Sequence, residues 1–491
     1  MRKKWIIPLL LSFAALGSAF AQQSEVWNLK DCIDYALTHS LKIQQNKASE
    51  QTAAIGVLQA KAGLLPSLNA SMNQGVTYRP FQESGGNFVN GGIASNAADK
   101  ATQSGSYGIN ASWTLWNGGK NRLNVQNSEL EQQMASYATT ATVNSIQEQI
   151  AQLYVQILYM QEALKVNTQL LKQDSIVYAR GEQMVKEKQM SKADLAQLGA
   201  QVSSGRYNVV NVKTQIENYK TQLKQLLEID NNADIDIADV EVGDESVLSA
   251  IPAKNSVYAA ALDKRPEIKK SLASIEQSKL ATKIARAGYM PTVSLTGGVG
   301  DSHLTGTQTS YAKQMKTNFN ATLGVSVSVP IFDNRQNKSA VEKARVQEVT
   351  SQLDLLENQK QLYSTVENYW LNATNNQEKY KAAKDNVEAL QTSYDLIQEQ
   401  FRLGLKNISD LLTSRANLLS AKQSMLQDKY TTVLNKALLD FYANNVMSIW
   451  NLKIERYEQE KVDAHRRMCC RSGSNRICAD GGQKRGTRDG L

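Results

Sequence analysis

The sequence predicts a mainly α-helical fold with a small β part, and three observations carry that expectation. No proline occurs between Pro80 and Pro252 or after Pro330, so very long uninterrupted helices are allowed. Four short stretches alternate polar and apolar residues. In the clearest, Phe319, Ala321, Leu323, Val325, Val327 and Val329 alternate with Asn320, Thr322, Gly324, Ser326 and Ser328. A period of two gives a strand with one oily face and one wet face. The whole plan occurs twice in tandem. Four strands are too few to close a transmembrane barrel, for which about eight is the usual minimum. The pattern therefore implies assembly of several copies around a pore.

At the start of the chain, Arg2, Lys3 and Lys4 precede a mainly apolar run from Trp5 to Leu16 and the small-x-small site Ala19-Phe20-Ala21. Residues 1–21 read as a secretory signal. A retained anchor is the competing reading, but the apolar run is short for a bilayer. No later run of about 18 apolar residues appears, so insertion of the remainder must be by strands. The net charge of +8 is concentrated at the ends. The signal contributes +3, and 455–491, with nine Lys/Arg and six Asp/Glu, another +3. The remaining +2 does not indicate a nucleic-acid surface. Cys469, Cys470 and Cys478 lie in that same tail and only Cys32 in the body, so neither a disulfide framework nor metal-ligand spacing is present and no cofactor is expected. The basic, Cys-containing tail 455–491 reads as disordered.

Between these ends the elements repeat. Ala60-Lys61-Ala62-Gly63-Leu64-Leu65-Pro66 matches Ala285-Arg286-Ala287-Gly288-Tyr289-Met290-Pro291. In each copy a helix should stop at the glycine and a strand start after the proline. The first repeat, 22–240, then has strands at about 67–78 and 105–116, joined by a Gly/Asn/Ser-rich loop from about Arg79 to Ser104, and long helices over 120–187 and 191–227. The second, 241–454, has strands at about 292–300 and 318–330 and long helices over 336–402 and 408–450. Trp113, Trp116 and Phe332 fall near strand ends, where an aromatic girdle or ordinary packing would place them. Asn117-Gly118-Gly119 and Asp333-Asn334-Arg335 precede the longest helices. Their apolar residues have coiled-coil spacing. Ile146, Ile150, Leu153, Ile157, Met160 and Leu164 step by 4, 3, 4, 3, 4, and Val387, Leu390, Tyr394, Ile397 and Phe401 by 3, 4, 3, 4. The helices alone would suit a solid dimeric coil; the attached hairpins argue for a tube.

The duplication, the two Ala-Lys/Arg-Ala-Gly-x-x-Pro junctions, the opening Leu29–Leu37 and the segment Phe401–Leu412 together resemble the outer-membrane efflux proteins, the TolC-like family. The resemblance spans Trp27 to about Trp450. It implies a homotrimer in which each subunit adds four strands to one 12-stranded transmembrane barrel and its helices to one long α-helical coiled-coil barrel crossing the periplasm. Residues 228–264 would form a belt around the middle. Its partners would be a periplasmic adaptor (membrane fusion) protein, an inner-membrane transporter and outer-membrane lipid. The implied role is a passive conduit of a tripartite efflux or type I secretion system.

A gate is expected where the helices turn at the far end. Asp194 and Asp410 correspond at an offset of 216, and each follows a break in the helical pattern. A ring of acids would favour cations. Helix capping by Ser191-x-x-Asp194 and Asn407-x-x-Asp410 explains the same residues, and the two roles are compatible. The resemblance implies that Lys406 is a basic link with Asp194 as its acidic partner, and that Asp410 belongs to an inner acidic ring. Phe401 stands where the best-known member of the family has a tyrosine, so that hydrogen bond is missing. Thr413 stands where a second acid would be. Lys188 and Gly404 occupy the two tips that would meet the adaptor, Lys188 in place of glycine. A barrel enzyme is the first alternative, but His39, His303 and His465 are scattered over a helix, a loop and the tail and read as solvated. A trimeric coiled-coil adhesin or periplasmic adaptor is the second, and it leaves the strands unexplained.

Overall fold

The computed structural model describes residues 26–78, 80–81, 86–89, 92–95, 101–230, 235–240, 242–305 and 309–447. In chain order the elements are β1 (Val26–Trp27), α1 (Leu29–His39), α2 (Leu41–Ala62), β2 (Ser67–Tyr78), β3 (Gly86–Val89), β4 (Gly92–Ser95), β5 (Ala101–Trp116), α3 (Lys120–Lys186), α4 (Lys192–Leu227), β6 (Asp236–Ile237), α5 (Asp244–Leu248), α6 (Lys254–Lys264), α7 (Pro266–Ala287), β7 (Thr292–Leu304), α8 (Tyr311–Thr317), β8 (Asn320–Ser328), α9 (Gln336–Arg402) and α10 (Ile408–Asn444). The signal assigned to 1–21, positions 448–450 and the tail 455–491 with His465 and its three cysteines lie outside the described residues.

Each repeat sets one continuous helix against a broken one. α3 and α9 both have 67 residues, about 100 Å at 1.5 Å per residue. α3 packs beside α2 near the strands and α4 at the other end, and α9 has α7 and α10 in the same places. α3 also touches α7 and α10, which joins the repeats. The corners that start the long helices need left-handed backbone. Gly118 and Gly119 supply it in one copy, Asn334 and Arg335 in the other. A Cβ on Gly118 would lie 2.6 Å from Met290 Cβ, so only glycine fits there.

α2 and α7 stop at the two expected glycines. Gly63 and Gly288 close α2 and α7 in right-handed rather than left-handed conformation. The chain instead tightens through bonds from Leu64 N to Lys61 O and from Tyr289 N to Arg286 O. Asn121 and Asn337, the second residues of α3 and α9, donate to the carbonyls of Gly63 and Gly288. α10 stops at Asn444, short of 450, because Asn445 turns left-handed and its N–H bonds back to Phe441 O.

The principal sheet has the order β2-β5-β7-β8, all antiparallel. β5 and β7 run further than expected, from Ala101 and to Leu304, and β8 is shorter. His303 therefore lies on β7, not on a loop, and is buried at 6% exposure rather than solvated. The expected loop from Arg79 to Ser104 includes a small β3–β4 hairpin. A bulge between Thr114 and Trp116 brings Trp116 opposite Val293.

The helical body is cored around the belt. β1 pairs in parallel with β6. Cys32 and Ile33 of α1, Ile150 and Tyr154 of α3, Leu223 and Leu227 of α4, Ile237, Val247 and Tyr430 share one cluster. A second joins α6 to α9 and α10 through Val257, Val366, Leu439 and Phe441. Burial pushes the Cys32 thiol up to about 12, so it is an inert core residue.

Candidate functional site: channel wall and helical tips

Cross-strand register sorts the four strands into two faces. Asn69 lies opposite Asn110, Asn110 opposite Gly298, and Gly298 opposite Thr322. That face continues through Ser71, Gly108, Thr296, Gly324 and Ser326. The other face pairs Leu68 with Ala111, Trp113 with Leu295, and Leu295 with Val325. Its apolar side chains are open; Leu323 is 81% exposed and Leu68 74%. An apolar face this bare suits lipid, and a Ser/Thr/Asn/Gly face suits water. Trp113 donates its indole N–H to Leu64 O, fixing one aromatic at the end of the sheet nearest the helices. Trp116 and Phe332 are exposed near the same end.

At the opposite end of the long helices are two matched tips. Lys188 and Gly404 are both left-handed, with φ of 60° and 75°. Each turn has the same double closure, Gln189 N to Met184 O and Lys188 N to Val185 O in one, Leu405 N to Gln400 O and Gly404 N to Phe401 O in the other. Capping follows at once. Ser191 Oγ accepts from Asp194 N and donates to Asp194 Oδ2, so the reciprocal half of a capping box is made to the hydroxyl instead of the backbone. Asn407 Oδ1 accepts from Asp410 N at 2.8 Å.

The structure does not join Lys406 to Asp194 within one chain. Lys406 Nζ, in the turn just before α10, lies 3.6 Å from Asp410 Oδ2 in the first turn of that helix. Both are partly exposed, so this pair contributes only about 0–1 kcal/mol. Thr413 is exposed. Phe401 is buried with Val177, Leu198, Tyr394, Ile408, Leu411 and Leu418, where it closes the apolar plug above the tips.

One buried charge pair escaped the sequence reading. Arg415 of α10 grips Asp174 of α3 through Nε to Oδ1 at 2.9 Å and Nη2 to Oδ2 at 2.7 Å. Gln201 of α4, with its amide oxygen turned to the guanidinium, accepts from Nη1 at 2.8 Å. Tyr394 of α9 lines the same space, so all four helices of the lower body meet at one polar point. The cavity there is about 10 Å³. A bidentate pair out of water fixes relative position as well as charge. The signal was present: Leu170, Asp174, Val177 and Gly181 step by 4, 3, 4, and Ile408, Leu411, Arg415 and Leu418 by 3, 4, 3. A charge on each buried stripe demands a partner. Among the described residues no group of three His, Cys, Asp or Glu side chains gathers as a metal site.

The outer membrane efflux protein family model matches residues 32–228 and 257–445, most of the chain. The chain belongs to the outer membrane efflux protein family. It is 23% identical over 447 residues to the outer membrane protein TolC of Salmonella enteritidis, covering 89% of this chain and 85% of that one. Among solved structures, the outer membrane protein VceC of Vibrio cholerae superposes with a TM-score of 0.71 at 16% identity, covering 84% of this chain and 96% of the other. The Campylobacter jejuni CmeC outer membrane channel gives 0.69 at 18% identity, covering 93% and 97%. As an outer membrane efflux protein the chain is a TolC-type efflux channel of the Gram-negative outer membrane, reaching into the periplasm. Its relatives are channels, which fits a protein that does no covalent chemistry.

Proposed function

We propose that three copies of this outer membrane efflux protein close one 12-stranded barrel and one helical tunnel, forming a passive conduit of a tripartite efflux or type I secretion system. A periplasmic adaptor and an inner-membrane transporter would complete it and supply the energy. The observation that carries this reading is the pair of open sheet edges. β2 leaves the helices and β8 returns to them, so β8 of one copy and β2 of the next meet antiparallel, as all neighbours inside the sheet do. An apolar four-stranded sheet with two open edges is unstable alone, and three copies reach a usual barrel size. Mass measurement of the detergent-solubilised protein tests the assembly: a trimer is expected, and a stable monomer would end the proposal. A coiled-coil adhesin or adaptor would have no use for the apolar sheet face.

We assign the gate to the tips. Lys406 of one subunit would reach Asp194 of a neighbour, Asp410 would form a single acidic ring because Thr413 adds no second one, and Lys188 and Gly404 would present the adaptor contact. Links this exposed contribute little each, so a partner could open them easily. Replacing Lys406 with Glu sets like charges beside Asp410 and Asp194. Single-channel conductance in planar bilayers should rise; unchanged conductance would remove Lys406 from the gate.

A further inference from the structure

We propose that Asp174 of α3 and Arg415 of α10 are positioning residues for the gate: their buried bidentate pair pins the axial register between the two hairpins of the lower body, and that register sets where the acids at the tips stand. The proposal rests on the gate being at the tips.

The pair lies close to the residues it would position. Arg415 follows Asp410 by five residues and Gln201 follows Asp194 by seven, about 8 Å and about 10 Å along α10 and α4 at 1.5 Å per residue. α3 and α4 form one hairpin through the Lys188 tip, and α9 and α10 the other through the Gly404 tip. Within the first, the helices approach closely. A Cβ on Gly205 would lie 3.1 Å from Leu171 Cδ1 and 3.5 Å from Asp174 Oδ2, and one on Gly181 2.8 Å from Leu198 Cδ1. Within the second, Tyr394 and Phe401 pack with Ile408, Leu411 and Leu418. Arg415 crosses from one hairpin to the other, taking both carboxylate oxygens of Asp174 and the amide oxygen of Gln201.

Apolar packing alone leaves this register loose. Along its stripe on α3, Asp174 stands between the buried Leu170 and Val177, and on α10 Arg415 stands between the buried Leu411 and Leu418. A slip of one helical turn, about 5.4 Å, would exchange one apolar contact for another. The charges remove that freedom. After such a slip Arg415 would face Leu170 or Val177, and both ions would be buried without a partner. The two side chains are only 7% and 6% exposed, and the cavity beside them, about 10 Å³, has room for at most one water, so solvent does not replace the lost partner. Because α10 is continuous from Ile408 to Asn444, a shift at Arg415 is passed to Asp410 unchanged. One turn exceeds the reach of roughly 4 Å over which an ion pair acts, so a slip would undo any link at the tips. A buried ion pair stabilises no better than apolar residues of the same size. What it adds is geometry: a guanidinium fork on a carboxylate fixes distance and orientation together, whereas an ammonium acts as a point charge.

The test uses the whole channel in planar bilayers, with thermal denaturation and the mass in detergent measured on the same samples. R415K keeps the charge and loses the fork. It should assemble as the wild type does and show a several-fold higher single-channel conductance. Wild-type conductance overturns the proposal. So does loss of the assembled state, which would make the pair a support for subunit contacts instead of a setting for the gate. D174L/R415M separates position from stability. It should regain thermal stability relative to R415M while conductance stays high, because apolar side chains restore the packing but not the register. Recovery of both overturns the proposal and leaves the pair a structural one. If D174L/R415M does not fold, the conductance of R415K decides alone. K406E, measured alongside, keeps the two readings apart. Unchanged conductance there with raised conductance in R415K removes Lys406 from the gate and not the pair from its register role. The reverse result keeps the gate and ends this proposal.

Discussion

Breaking the Asp174–Arg415 pair from one side leaves a lone charge among Val177, Leu198, Leu411 and Tyr394. Arg415→Met should therefore destabilise the lower body by about 3–5 kcal/mol, the range for an orphaned buried charge. Replacing both partners together, Asp174→Leu with Arg415→Met, should restore much of that loss, because neither charge then has to be kept out of water. Thermal denaturation of the assembled protein through a double-mutant cycle measures the coupling; additive losses would contradict it. Both charges were legible as interruptions of apolar stripes. What could not be read was that the two stripes face each other across four helices. His303 shows the opposite limit. Its odd position places it on the same strand face as Val299, but the sequence around it, rich in Gly, Ser and Thr, reads as a loop until β7 is seen to extend to Leu304.

The paired turns at the tips show how one backbone plan tolerates different residues. Gly404 has nothing within 4 Å of where a Cβ would be, so a side chain there meets only the cost of left-handed backbone. Lys188 already accepts that cost at the matching position. Gly404→Lys should assemble and lose only about 1 kcal/mol of thermal stability; a larger loss would mean that something else packs on that tip. In the belt, Asp244 tethers α5 to α9. The hydrogen bond from Lys384, then that from Tyr380, holds its carboxyl below the ordinary value of 3.8. A depressed acid contributes stability that is complete above its unfolded value and lost as pH falls through the folded one. Hydrogen-exchange protection of α5 should be level at neutral pH and fall below about pH 4, and Asp244→Asn should remove that part of the fall. Partial exposure keeps the effect small. The long helices and the starts of β2 and β7 were readable because proline spacing and a period of two are local signals. The bulge that turns Trp116 opposite β7 and the stop at Asn445, whose Oδ1 accepts from Asn144 of α3, were not, because each answers to a neighbour remote in sequence.

Taken as a membrane-inserted channel, the molecule has two sheet faces with opposite tolerances. Leu323→Arg puts a charge on the lipid-facing side and should cost about 2–4 kcal/mol if it sits near the bilayer midplane, read as loss of folding yield in lipid. Thr322→Arg, one residue away, points to the water-filled side. It should assemble normally and shift ion selectivity toward anions, measured as a reversal potential. Identical penalties at the two positions would contradict the assignment of faces.

By itself the sequence determined the duplication, the length of the helices, the alternation of the strands and the insufficiency of four of them, since these follow from spacing along one chain. It also named the residues at the two turns. Only the tertiary structure decided which charges meet. Lys406, in the turn before α10, found Asp410 four residues on, while Asp174 found Arg415 across the bundle. A charge takes the nearest geometry that satisfies it, and distance through space is set by packing rather than by position in the chain.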